Sequence, residues 1–133
     1  MIIEFTIPGN PVAFARAGAK GKQRFTPPKQ ANFMGSVKHI AALAMKGAAL
    51  LDGPIELSID VRYQWPKSIP PKKRTLPGAN WRCSVPDWDN LGKLVSDSLN
   101  GVVWTDDARV VSGHVWKRYG DRSETRVRVR MLT

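Results

Sequence analysis

Two aspartates stand one residue apart in SVPDWDNLGK, residues 84–93, with an asparagine directly after them and a lysine four residues past the second. Asp87, Asp89, Asp97, Asp106 and Asp107 place five of the chain's 11 acidic residues within 21 positions. Like charges so close repel, and a fold tends to avoid the arrangement unless a cation neutralises it. If residues 87–89 are extended, side chains i and i+2 point the same way. Both carboxylates then face one spot and Trp88 faces the other side. The acidic turn at 106–107 follows a short return and can bring a third carboxylate back to the first two. Oxygen ligands with no His or Cys beside them suit Mg²⁺ or Mn²⁺ rather than zinc. Held beside a basic surface, such a metal activates water and stabilises charge on a phosphate, which is phosphodiester hydrolysis. Lys93 would then sit against the phosphate or orient the attacking water.

Each of these residues also has a plainer reading. Asp89 is well placed as the N-cap of a following helix. Asp106–Asp107 is an ordinary turn. Lys93 is an exposed helical lysine able to pair with Asp89 or Asp97 at four-residue spacing. The case for a metal site rests on all of them occurring together in a cationic chain. That chain carries 21 Lys and Arg against 11 Asp and Glu, a net charge of +10 over 133 residues. A field of that sign favours polyanions, nucleic acid first and anionic membrane second.

The elements that must position these residues show in the apolar pattern. MIIEFTIPG reads as a strand closed by Pro8-Gly9. Residues 10–30 lack apolar periodicity and carry Arg16, Lys20, Lys22, Arg24 and Lys29, the pattern of a mobile basic loop with a short hairpin near Phe25. A helix follows over about 29–51, burying Phe33, Val37, Ile40, Ala44, Ala48 and Leu51, with His39 on its polar side and without a role. IELSIDVRYQW, residues 55–65, alternates as a half-buried strand. Residues 66–86 are Pro-rich and basic and read as a long loop, which in a compact domain signals function or disorder. A short helix runs from Asp89 to about Leu99 and stops at Asn100-Gly101. VVSGHVWKRY and ETRVRVRML close the chain as strands, the last with Arg126, Arg128 and Arg130 on one face and Val127, Val129 and Met131 on the other. The expectation is an α+β fold, a single small sheet of about four or more strands against two helices, in one domain spanning 1–133. The lone Cys83 cannot form an internal disulfide, no apolar run reaches membrane-spanning length, and the N-terminus lacks a basic leader. A cytoplasmic protein is expected.

PDWDNLGKLVSDSLNGVVWTDDARVV, residues 86–111, resembles the pattern of the RusA family of Holliday-junction resolvases, endonucleases often carried by phages and prophages. That pattern is D-x-D-N-L-x-K, an Asp in the same helix, an apolar stretch, and a D-D-x-x-V turn. Asp87, Asp89, Asn90, Leu91, Lys93, Asp97, Asp106, Asp107 and Val110 fill it. IPGNPVAFARAGAKGKQRFTPPKQANF is similar, more loosely, to the basic loop of phage-type members. The resemblance implies a Mg²⁺-dependent homodimer, with Mn²⁺ as a substitute, that cuts opposed strands of a four-way DNA junction and needs no organic cofactor. By position it makes Asp87, Asp89 and Asp107 the metal ligands and Lys93 the catalytic lysine. Asp106 and Asp97 match family positions without an assigned role. The loop at 67–82 is longer than in compact members, so cut-site preference does not carry over.

Arg16, Lys22, Arg24, Lys72, Lys73 and Arg74 are the expected phosphate contacts, and Phe14 and Phe25 are candidates to stack on opened bases, with core packing the favoured role for Phe25. Trp65, Trp88, Trp104 and Trp116 exceed what a core of this size usually needs, which points to a dimer interface near Trp88 and Trp104. Three rival readings stay open at this stage: a less selective structure-specific nuclease, a non-catalytic basic DNA-binding protein, and an RNA-binding protein. The second accounts for the charge but leaves the acidic cluster unexplained.

Overall fold

Four strands build one open mixed sheet. In the computed structural model the backbone is described for residues 1–15, 18–20, 23–25 and 27–133, and side chains for 1–15 and 27–133. In chain order the elements are β1 (Ile2–Pro8), β2 (Gly18–Lys20), β3 (Gln23–Phe25), α1 (Pro28–Met45), β4 (Ile55–Gln64), α2 (Trp88–Leu99), β5 (Val110–Gly120) and β6 (Glu124–Met131). The sheet order is β1-β6-β4-β5. β6 runs antiparallel to both β1 and β4, whereas β4 and β5 are parallel. β2 and β3 pair separately as a short hairpin, where the sequence places one.

Period-two alternation decides which face of the sheet is covered. Ile3, Phe5 and Ile7 of β1, Ile55, Leu57, Ile59 and Val61 of β4, and Val127 and Val129 of β6 are buried on one side. Against them lie Phe33, Val37, Ala41 and Met45 of α1 and Leu91, Leu94, Val95 and Leu99 of α2. Both helices therefore cover the same face. The opposite face carries the alternate residues, including the Arg126, Arg128 and Arg130 row, and no described element lies over it.

Three boundaries differ from the sequence reading. α1 ends at Met45, because Lys46 and Gly47 take left-handed backbone (φ 52° and 76°) and stop the helix six residues early. Its buried stripe is Gln30, Phe33, Val37, Ala41 and Met45; Ala48 lies beyond the helix and is exposed. Leu51 is buried for a different reason: it bridges to Trp104, with Leu51 N–H donating to the Val103 carbonyl at 2.8 Å. α2 starts at Trp88, so residues 87–89 are not one extended run and the N-cap is Asp87 rather than Asp89. Trp104 is fully buried, so it is core and takes no part in an interface. Among the described residues, no helix is long and apolar enough to cross a membrane.

Glu124 gives the fold an acid limb. Its carboxylate accepts hydrogen bonds from Arg126 Nε and Nη2, both at 3.3 Å. Arg126 lowers the Glu124 pKa below the ordinary 4.5, burial opposes that, and the Arg122 and Arg62 charges assist it. A carboxylate whose folded pKa is depressed contributes stability above its unfolded pKa, and the contribution is lost as pH falls through the folded value. Denaturant melts should show wild-type stability falling below pH 4.5, and Glu124→Gln should lower stability at neutral pH and flatten that acid limb.

Candidate active site

The residues singled out from sequence lie on the connection between β4 and β5. Its first part, residues 65–87, is not a free loop. Arg74 lies over the Trp65 ring at 5.5 Å and donates from Nε to the Ile69 carbonyl at 2.9 Å. Trp65 in turn stacks on Tyr119 at 5.1 Å. Further on, the chain runs along the outer edge of β5: Tyr119 N–H donates to the Asn80 carbonyl at 2.7 Å and Arg82 N–H to the Lys117 carbonyl at 3.0 Å. The backbone edge of β5 is thereby paired at residues 117–119, which shortens the stretch open to unwanted strand addition.

Arg82 fixes the last residues before the site. Its guanidinium sits 3.9 Å over the Tyr63 ring. Its Nε and Nη2 both donate to the Val85 carbonyl, at 3.2 and 2.7 Å. Lys117 Nζ donates to the neighbouring Ser84 carbonyl at 2.6 Å. Burial raises the Tyr63 pKa, with the Arg82 charge opposing. This clamp sets where the backbone enters α2.

Asp87 occupies the N-cap position with extended backbone (φ −68°, ψ 146°), yet its side chain makes no capping hydrogen bond. Asp89 is in the first turn, where the helix dipole favours a carboxylate. Both are exposed. The plain N-cap reading therefore uses neither carboxylate, and both remain available to a ligand. Asp89, Lys93 and Ser96 follow at i, i+4 and i+7 and line one stripe of α2. Lys93 Nζ pairs with Asp97 Oδ2 at 3.2 Å and lies 4.7 Å over the Phe14 ring. Phe14 N–H donates to the Asn90 carbonyl at 2.9 Å, and Ala15 N–H to Gln30 Oε1 at 2.8 Å. These bonds tie the chain entering the basic hairpin to the start of α2 and to the start of α1.

The two aspartates of the acidic turn separate in role. Asp106 Oδ1 accepts from Ala108 N–H at 3.2 Å and caps the 3-10 turn Asp107–Arg109. Asp107, half-buried, points its Oδ1 toward α2, accepting from Trp104 Nε1 at 2.8 Å and Ser96 Oγ at 3.5 Å. Asp107 thus meets the α2 stripe at Ser96, and Asp89 stands at the other end, roughly 10 Å of helix rise away. Beside Asp89 lies a shallow pocket of about 260 Å³ whose wall includes Asp89, Gly92, Lys93, Ser96 and Val115 but not Asp107. Among the described residues, no three His, Cys, Asp or Glu side chains are gathered into a metal-sized cluster. The donor chemistry still fits a hard divalent cation. Mg²⁺ keeps several waters and is bound through one or two carboxylates rather than a closed protein cage.

Four contributors escaped the sequence reading. Gly92 lets α2 approach the sheet, since a Cβ there would lie 3.1 Å from Val115 Cγ2. A glycine inside an otherwise good helix is the available signal for such an approach. Trp104, assigned from sequence to an interface, acts instead on Asp107 three residues on, while Ser96 and Arg82 act through contacts with Asp107 and Tyr63 that the sequence does not signal. Of the expected phosphate contacts, Lys72 and Lys73 are exposed on a 3-10 turn, whereas Arg74 is half-buried and holds the loop. Arg16 and Lys22 lie outside the described residues. Arg24 falls in β3, where only the backbone is described, as is true of Phe25.

An α+β fold whose β4–β5 crossover presents carboxylates without capping bonds near a lysine, in a chain of net charge +10, suits a protein that acts on nucleic-acid phosphates. A family model of the endodeoxyribonuclease RusA matches residues 8–131, and the chain belongs to that family. It is also 28% identical over 138 residues to the "Uncharacterized protein YqaN" of Bacillus subtilis (strain 168), a match covering 98% of this chain and 97% of that one.

The Arg82 clamp is testable by itself. Arg82→Ala removes a cation–π contact and two hydrogen bonds, together worth about 1–2 kcal/mol of stability. Amide exchange in residues 80–86 should speed up far more than in β4, as read by mass spectrometry.

Proposed function

We propose that this protein is a divalent-metal-dependent endodeoxyribonuclease that resolves four-way DNA junctions as a homodimer, using Mg²⁺ or, in its place, Mn²⁺. The observation that carries the reading is the state of three carboxylates. Those of Asp87 and Asp89 are free of capping bonds, and that of Asp107 is oriented by the buried Trp104. In this reading Asp87, Asp89 and Asp107 hold the metal, which when bound supplies an activated water and charge stabilisation at the phosphate. Lys93 donates to a phosphate oxygen, having released Asp97. Asp97 keeps the lysine poised, and Asp106 shapes the turn that delivers Asp107. Lys72, Lys73, Arg16, Lys22 and Arg24 hold the phosphates of the arms, with Arg74 contributing through the loop it braces. Family membership supports the endodeoxyribonuclease chemistry. Junction preference and the dimer extend it, because two opposed cuts call for two sites related by a two-fold axis.

The direct test is cleavage of a mobile four-way junction with and without Mg²⁺, beside a panel of flaps, forks and duplex. Chelation should abolish cleavage and added Mg²⁺ restore it. Asp87→Asn, Asp89→Asn and Asp107→Asn should each lose at least about 100-fold in rate while binding the junction as tightly as wild type or tighter. Each change removes a metal ligand and also a negative charge facing phosphate. Wild-type cleavage by any one of them would remove that residue from the ligand set. Equal cutting of every branched substrate would favour a less selective nuclease.

Lys93→Ala should lose most activity with little loss of affinity, and Lys93→Arg should not restore it, since a planar fork differs from a compact ammonium. Neutralising Lys72 and Lys73 together should weaken junction binding and lower the slope of log K against log salt by about 2. An unchanged slope would place both lysines away from DNA.

A further inference from the structure

We propose that the pocket beside Asp89 seats one nucleobase of the DNA strand that crosses the site, unstacked from its neighbours and laid against Trp88. This rests on the nuclease reading above and deepens it by naming a residue and a cavity for a base next to the bound phosphate.

Four of the five tryptophans already have a use for their rings. Trp104 is fully buried, Trp65 stacks on Tyr119 at 5.1 Å, Trp116 stacks on His114 at 5.6 Å, and Arg118 lies over Trp81 at 4.9 Å. Trp88 is 62% exposed, more than any of the others, and among the described residues no ring or cation lies over it. The core face of α2 is made by Leu91, Leu94, Val95 and Leu99 and does not need it. It stands at the first position of the helix, between Asp87 and Asp89. A flat, unpartnered indole beside a phosphate site is a stacking platform, and every base offers it a π-face.

The space next to Trp88 has the size and lining for that base. At about 260 Å³ it falls short of the ~300 Å³ at which pockets for drug-sized ligands begin, so it takes a single heterocycle rather than a longer stretch of chain. Its floor is apolar, built by Leu57 and Ile59 of β4 and Val115 of β5. A glycine keeps it open. Gly113 pairs with Leu57 and stands in phase with Val115, so a side chain there would project over the covered face. Nothing lies within 4 Å of a Cβ built at Gly113.

The mouth of the pocket is polar where a nucleotide is polar. Asp89 and Lys93 belong to its wall, so a phosphate held by them leaves the adjoining base at the opening. Gly113 and Val115 turn their backbone N–H and C=O groups to the outer edge of β5, in phase with the Lys117 carbonyl and the Tyr119 N–H that residues 80–82 take up. No described backbone group pairs with that edge over residues 111–115. Free donors and acceptors at the rim suit the hydrogen-bonding edge of a base whose faces lie on indole and aliphatic carbon. An apolar side chain of a protein partner would use the floor and leave the charged wall and the rim without a counterpart.

Binding in the presence of a chelator tests this apart from cleavage. The probe is a four-way junction of fixed crossover, intact or with one abasic residue placed in turn at each position beside the crossover on both opposed strands. On the intact junction Trp88→Ala and Gly113→Leu should each raise Kd about 10-fold, and Trp88→Phe should recover most of that loss. One abasic position should cost the wild type a similar factor and cost either variant nothing further, because base and pocket form one contact. All three variants should keep a cooperative thermal melt. Should Gly113→Leu fail to fold, the Trp88 pair decides. Variants that bind as the wild type does, or losses that add at every abasic position, overturn the base seat and leave the nuclease reading standing. A lower sedimenting mass in Trp88→Ala would make the residue a contact between copies and also overturn the seat. A wild type that shows the coupling yet cuts no DNA with Mg²⁺ removes the nuclease reading and upholds the seat, and one that binds no junction overturns both.

Discussion

The parallel pairing of β4 with β5 is the constraint from which the site follows. Parallel neighbours cannot be joined by a tight turn, and the chain must cross the sheet before it returns. Here that crossing takes residues 65–109 and contains Asp87, Asp89, Lys93, Asp97, Asp106 and Asp107. It leaves the end of β4, runs down the edge of β5, packs α2 on the covered face, and turns back at Asp107 to start β5. Both ends of the crossover are thus brought to the same edge strand, and Asp107 returns to α2 at Ser96, about two helical turns from Asp89.

What rigidifies that crossover is a small number of buried or stacked groups rather than helix propensity. Trp104 is fully buried, and its single polar atom is spent on Asp107. A buried indole N–H without a partner would cost about 1–3 kcal/mol, so the core itself selects the orientation of that carboxylate. At the other end, Arg82 reads the Val85 carbonyl with two donors while lying on Tyr63. Gly92 permits close contact between α2 and Val115. The site is therefore positioned from the core on one side and from a pinned loop on the other.

The legible parts of the fold were those written in local period. β4 alternates from Ile55 to Val61 and β6 from Thr125 to Val129, and alternation names their buried apolar residues; Glu124 is buried out of phase. α2 follows its apolar spacing at Leu91, Leu94, Val95 and Leu99. The end of α1 was not legible, because apolar residues continue past Met45 while the stop is a backbone event at Lys46 and Gly47. Trp104 was misread as surface material because large aromatics suit cores and interfaces alike, and composition does not separate them. The sheet order and the pairing of residues 80–82 with β5 depend on contacts between distant segments, for which a single sequence carries no pattern. The candidate site residues stand out in the sequence by type and spacing, but the contacts that each makes do not.

Those contacts explain how a fold tolerates five carboxylates so close together. Asp106 is used by a backbone N–H at the turn. Asp97 is neutralised by Lys93. Asp107 is held by Trp104 and Ser96. Each of these three has a partner that compensates its charge or directs it, and the repulsion that made the cluster conspicuous is largely absorbed by the protein. Asp87 and Asp89 are the exceptions: exposed at a helix start, with the dipole as their common stabilisation and no capping bond to Asp87. Had capping been the purpose, the Asp87 oxygen would point back at the free N–H groups of the first turn, as it does at Asp106. An N-cap without its hydrogen bond, in a chain short of acids, leaves the Asp87 carboxylate in the state that the proposed metal site requires.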